Sequence, residues 1–172
     1  MITARFESAQ VESMLRELAD RAMNLSAPLA ACGEIMLTSI DRNFEAQGRY
    51  GAAGDVRGGT NKWQPLARAT IISRLGGNRA FTKSGGLSKP AQRKLGGLKI
   101  LQQRGTLAAS FTKQISGNTL TIGSNRVYAA IHHYGGQAGR GKKVFIPARP
   151  FLVVQDEDVE NMIGVLRRYL EV

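Results

Sequence analysis

Between Val56 and Gln155 the chain contains no aspartate or glutamate. Hydrolysis by a pair of carboxylates would have to draw both acids from the terminal segments. A lone cysteine, Cys32, excludes an intrachain disulfide and any site built on several thiolates. It reads as a reduced, half-buried small apolar side chain. No apolar run approaches the length that spans a membrane, and Met1 to Ser13 mixes acid and base without the apolar stretch of a signal peptide. The expectation is a soluble protein made in the cytoplasm, with no membrane partner. Aromatic residues are scarce, with six Phe, four Tyr and one Trp, and there is neither a two-cysteine, two-histidine finger nor an aromatic strand motif of the RNA-recognition kind.

Chemistry-bearing clusters are equally thin. Gly136-Gln-Ala-Gly-Arg-Gly141-Lys142-Lys143 resembles a phosphate-binding loop until its last position, where Lys replaces the Ser or Thr that would hold magnesium. It also follows a helix-like segment and precedes Val-Phe-Ile-Pro, whereas such loops follow a strand and open a helix. The plainer reading is an exposed basic turn. His132 and His133 are adjacent, so on a helix they point about 100° apart and share no metal. One imidazole is expected to pack near the helix end and the other to be solvated. Ser110 and Ser124 lack a nucleophile turn. The expectation is a protein that is not an enzyme and carries no cofactor.

What is abundant is positive charge. The 172 residues carry a net +11, but residues 1–48 hold four basic and seven acidic side chains and residues 151–172 two and five. Both ends are net negative and the middle is strongly basic. A field of one sign on this scale fits a polyanion or an acidic protein surface, so DNA backbone and acidic partner subunits are both candidates.

Val11, Leu15, Leu18, Ala22, Leu25, Leu29, Cys32 and Met36 alternate spacings of four and three, the stripe of an amphipathic helix. Pro28 divides it into a helix ending near Leu25 and a second, capped by Ser26, running to about Phe44 or Ala46. The stripe suits packing on the protein's own sheet more than a coiled-coil seam between subunits. Two glycine-rich basic excursions follow, at about 48–61 and 76–97, separated by Trp63-Gln-Pro-Leu66 and a short helix from Ala67 to Leu75. Their glycines raise the entropy lost on ordering, so both are expected to be mobile until a neighbour orders them.

Phe111–Ile115 and Thr119–Ile122 flank Ser116-Gly117-Asn118 as an antiparallel hairpin. Val127–Tyr134 reads as a short helix, and Val144–Ile146 and Phe151–Val154 as short extended pieces. The last helix is capped by Asp156, with Glu157, Asp158 and Glu160 at its positive end and Arg167 and Arg168 at its negative end. Val159, Met162, Ile163, Leu166, Tyr169 and Leu170 form its apolar face. The expected fold is a single α+β domain over 1–172: two N-terminal helices, a small mainly antiparallel sheet, and a C-terminal helix packed on the sheet.

Several segments in order resemble the phage virion morphogenesis family, which includes tail-completion proteins of Mu-like phages. They are Arg42-Asn-Phe44, Trp63-Gln-Pro-Leu66, Ile100-Leu-Gln-Gln-Arg-Gly-Thr-Leu107 with Ser110, Ile122-Gly-Ser-Asn125, Tyr128-Ala-Ala-Ile-His132, Tyr134-Gly-Gly136 and Ile146-Pro-Ala-Arg-Pro-Phe-Leu152. The Gly-rich stretch from Gly76 to Gly97 departs from the pattern.

The resemblance implies a structural virion component acting in tail completion and head–tail joining, assembled in the host bacterial cytoplasm and located in the tail or neck. It implies a homo-oligomer, a ring matching the tail's sixfold symmetry, meeting tail terminator or tube and head-connector proteins. DNA backbone in the channel is a further expected contact. The candidate interaction residues are Trp63, Arg79, Lys83, Lys89, Arg93, Lys94, Arg140, Lys142, Lys143 and Arg149. Trp63 would anchor the first excursion on the core or on a neighbouring subunit, and Arg149 would pin the Pro147–Pro150 turn through carbonyls or an acidic neighbour. The reading from a different class is a small basic protein that binds DNA non-specifically.

Overall fold

A computed structural model describes residues 8–52 and 55–171, a mixed α+β arrangement. Two helices open the described chain, α1 (Ala9–Met23) and α2 (Ser26–Ala46). The helical stripe breaks at Asn24-Leu25, but Ser26 is not the cap expected of it. Ser26 is the first helical residue, and the Asn24 side-chain oxygen accepts from its N–H and hydroxyl. An acceptor two residues earlier takes over the capping role.

α2 is the central element because its inner face is apolar over its whole length: Cys32, Met36, Ile40 and Phe44 recur every four residues and are all buried. It ends where Gln47 turns left-handed at φ 54°, and Gly48 follows at φ 116°. Gly48 is required there, since a Cβ would strike the backbone nitrogen of Trp63. The close approach lets Trp63 N–H donate to the Gln47 carbonyl at 2.8 Å and starts the long excursion back toward the core.

β1 (Phe111–Ser116) and β2 (Thr119–Ser124) form an antiparallel hairpin from Phe111↔Ser124 to Ser116↔Thr119, and it packs on α2. Burial alternates along β1, so Phe111, Lys113 and Ile115 share the inner face. Lys113 lies there by its aliphatic stem, while its ammonium reaches the Ala30 carbonyl at 2.8 Å and Glu34 at 2.6 Å. A second hairpin, β3 (Gly136–Ala138) with β4 (Val144–Ile146), stands apart from the first. Phe151–Val154 is extended, but only Val154 forms a bridge, to Arg57.

Helix α3 (Arg68–Leu75) and helix α4 (Lys89–Gly96) lie in the basic middle. The 76–97 segment thus contains a helix, and Leu75, Ala80 and Ala91 bury a small second cluster with Ile71, Leu87 and Leu98. Helix α5 (Ala129–Tyr134) precedes β3.

The C-terminal helix α6 (Asp156–Leu170) packs alongside α2. Its cap is Gln155 rather than Asp156. The Gln155 side chain accepts from the backbone N–H of Asp158, and the Asp158 carboxylate accepts from Gln155 N–H at 2.8 Å, a reciprocal box. Asp156 is instead exposed and pairs with Arg57 at 2.5 Å. Asp158, 2% exposed, also accepts from Ser39 Oγ at 2.5 Å, which ties the start of α6 to the middle of α2.

The main core is an aromatic knot. Phe44 meets Trp63 edge-on at 5.3 Å and stacks on Phe151 at 5.6 Å, and Phe151 meets Phe111 at 5.4 Å. Polar side chains fasten it. Asn43 Nδ2 donates to the carbonyls of Pro150 (3.2 Å) and Phe151 (3.0 Å), and Trp63 Nε1 donates to Pro150 at 2.7 Å. Gln102 Nε2 donates to the Phe44 carbonyl at 2.7 Å. Phe44→Ala removes the ring that contacts Trp63, Phe111 and Phe151. It should cost about 3–5 kcal/mol, read as a lowered urea midpoint at unchanged slope.

Candidate assembly surfaces

Trp63 belongs to the core and not to an interface: it is 2% exposed and its indole N–H is satisfied internally. Arg149 is buried too. Its guanidinium donates from Nε to the Gln64 carbonyl (3.1 Å) and from NH2 to the Pro65 carbonyl (3.2 Å), and its backbone N–H donates to the His132 carbonyl. It therefore pins the turn to the Trp63–Leu66 segment through carbonyls. Burial, and then the nearby charge of Arg74, lower its pKa from the ordinary arginine value.

The other candidate residues are exposed and fall in two groups. Arg79, Lys83, Lys89, Arg93 and Lys94 decorate α4 and the turns before it. Arg140, Lys142 and Lys143 sit between β3 and β4, where a 3-10 turn stands and no helix follows, so the phosphate-loop arrangement is absent from this segment. None of these eight makes an ion pair among the described residues.

An apolar groove of about 530 Å³ opens between α2, β2 and α6. Met36, Leu120 and Ile122 meet Val159, Met162 and Leu166 across it, with exposed Val56, Tyr134 and Ile163 at its mouth. The apolar face read on α6 is thus only partly consumed by packing, which is why sequence alone gave no sign of the groove. α1 is uncovered as well: it has no buried residue, and Val11, Met14 and Leu15 are exposed at helical spacing. It touches α6 at the far end, where Arg21 donates to the Tyr169 carbonyl (3.1 Å) and Tyr169 Oη donates to the Asn24 carbonyl (2.6 Å). No helix among the described residues is long and apolar enough to cross a membrane, and these residues hold no His, Cys, Asp and Glu cluster suited to a metal.

The two histidines do not divide into packed and solvated. Both are half-buried. His133 stacks edge-on against Phe151 at 4.8 Å and its Nδ1 accepts the Phe151 N–H at 3.3 Å. Burial lowers the His133 pKa, and burial with the charge of Arg149 lowers that of His132. Folded-state values below the unfolded one mean the unfolded chain binds more protons, so stability held at neutral pH falls as pH drops below the ordinary histidine range. The urea midpoint should therefore fall between pH 7.5 and pH 5.5. His133→Asn, which keeps an acceptor but cannot titrate, should shrink that fall; an unchanged fall would remove His133 from the account.

The sequence matches the phage virion morphogenesis family over residues 6–171. It is 45% identical over 65 residues to the Mu-like prophage FluMu G protein 2 of Haemophilus influenzae, covering 38% of this chain and 47% of that protein. It is 31% identical over 70 residues to the putative capsid assembly protein G of Escherichia phage Mu, covering 40% of this chain and 45% of that one. The chain thus spans less than half the length of these curated relatives. No solved structure matches.

Proposed function

This chain belongs to the phage virion morphogenesis family, and on that premise we propose that it is a structural subunit that closes into a ring during tail completion and head–tail joining. In this reading α1 of one copy lies in the apolar groove of the next. The observation that carries it is the coexistence of two apolar surfaces, a groove and a helix, that the described residues leave uncovered.

A helix of 15 residues is marginal in water unless its apolar face is packed. At about 22 Å it has the length and the i, i+3, i+4 anchors of a helix-in-groove contact. Helix and groove are different patches, so the contact is head-to-tail, the kind that generates a ring when its rotation closes. A second copy is the occupant argued for because the exposed apolar residues of α1, Val11, Met14 and Leu15, match the apolar lining of the groove. The partners in this proposal are tail terminator or tube proteins and head connectors, on the two faces of the ring. The relative from phage Mu bears the name of a capsid assembly protein, which suits the same stage of assembly.

Light scattering tests this. The wild type should give a ring of about six subunits that persists at high salt, because apolar contacts are not screened. Leu15→Glu and Ile163→Glu change exposed residues and should each yield a folded monomer by circular dichroism. If both variants keep the wild-type mass, the helix-in-groove contact is wrong. Mass that appears only with duplex DNA and disappears in moderate salt would favour the DNA-binding reading.

A further inference from the structure

Arg74 of α3 lines two adjoining polar pockets, of about 230 and 350 Å³. Its NH1 donates to the Lys99 carbonyl at 2.8 Å, but its Nε is buried without a hydrogen-bond partner among the described residues. His132 Nδ1 is likewise buried and unpartnered, and His132 lines the first pocket with Arg74. Buried polar atoms of this kind are few in native proteins, and an unpaired guanidinium N–H, which only donates, calls for an acceptor. Arg104, Thr106 and Tyr128 complete the polar wall, the two hydroxyls lying 3.2 Å apart. No carboxylate lines either pocket.

We propose that the pocket between Arg74, Arg104 and His132 is a phosphate-oxyanion site. Two guanidiniums, those of Arg74 and Arg104, line it without a carboxylate, and the charge of Arg149 lies near Arg74. A planar carboxylate satisfies one guanidinium fork. A tetrahedral phosphate presents several oxygens and can spread its charge over several donors, and Arg74, Arg104 and the hydroxyl pair line one pocket. Arg74 also lines the second pocket beside Lys94 and Lys99. A DNA backbone phosphate and free inorganic phosphate share this chemistry, and the experiment separates them. The site stands independently of the ring, since none of its residues belongs to α1 or the groove.

Isothermal titration calorimetry with inorganic phosphate, at ionic strength held constant with NaCl, reads the site on the full chain. Phosphate should bind in the millimolar range or tighter, with perturbation of the His132 imidazole resonances in NMR. Arg104→Gln, an exposed substitution that keeps the fold, should weaken binding about tenfold, as removal of one charge-assisted hydrogen bond does. Arg74→Lys should do the same, and Arg167→Gln, exposed on α6 and outside the pocket, should leave binding unchanged. A short duplex that abolishes the phosphate heat marks the backbone of DNA as the source; a duplex that leaves it intact marks free phosphate. No heat at high phosphate, equal binding by Arg104→Gln and wild type, or acetate binding as tightly as phosphate would each overturn the proposal.

Discussion

The carbonyl oxygen of Pro150 is the point on which the rest of this structure depends. It accepts from two buried donors, Asn43 Nδ2 on α2 and Trp63 Nε1 at the end of the first excursion. Both of its lone-pair directions are thereby used, and only the loss of both donors would leave the oxygen unpaired among aromatic rings. Three segments far apart in sequence are brought to one atom. The adjoining residues extend the grip in both directions: Arg149 holds the carbonyls of Gln64 and Pro65, and the Phe151 N–H is held by His133. Four aromatic rings then close over the polar centre, so apolar burial and hydrogen bonding specify the same geometry.

This centre explains which parts of the fold could be read in advance. Arg42-Asn-Phe44, Trp63-Gln-Pro-Leu66 and Ile146–Leu152 stood out as separate pieces, and in the folded chain they form one contact set. Helices α2 and α6 and the β1–β2 hairpin were legible because their periodicity reports burial on one side. The caps were misassigned because two acceptors lay within reach of each helix start. Tertiary partners decided between them: Arg57 drew Asp156 outward, and Ser39 drew Asp158 inward. The helix in 76–97 was hidden by its glycines, since its cluster is assembled from Leu75, Ala80 and Ala91, small or distant residues with no common stripe.

The candidate surfaces were less legible than the core. A basic residue in the sequence carries no mark of whether it ends in a carbonyl cage or in water. Arg149 and Arg79 looked alike and differ completely, one buried and hydrogen-bonded, the other exposed on a turn. Arg74 and Arg104 gave no signal, because what distinguishes them is their position around a pocket made by α3, the segment after Gly97 and α5. The groove escaped notice for a related reason: an apolar helix face looks the same whether its partner fills it or leaves a gap.

In the proposed ring, α6 would hold both halves of the intersubunit geometry. Its last turn fixes the root of α1 through Tyr169 and Arg21, while its flank, at Val159, Met162 and Leu166, is one wall of the groove. One rigid rod therefore carries an arm at its end and a socket along its side, and the angle between them is set by the helix's own phase. Inserting a single residue between Leu166 and Tyr169 would turn Tyr169 about 100° away from Asn24 and leave α1 held by its short joint to α2, with the socket in place. In the proposed ring, the angle between arm and socket would set the number of copies that complete a turn.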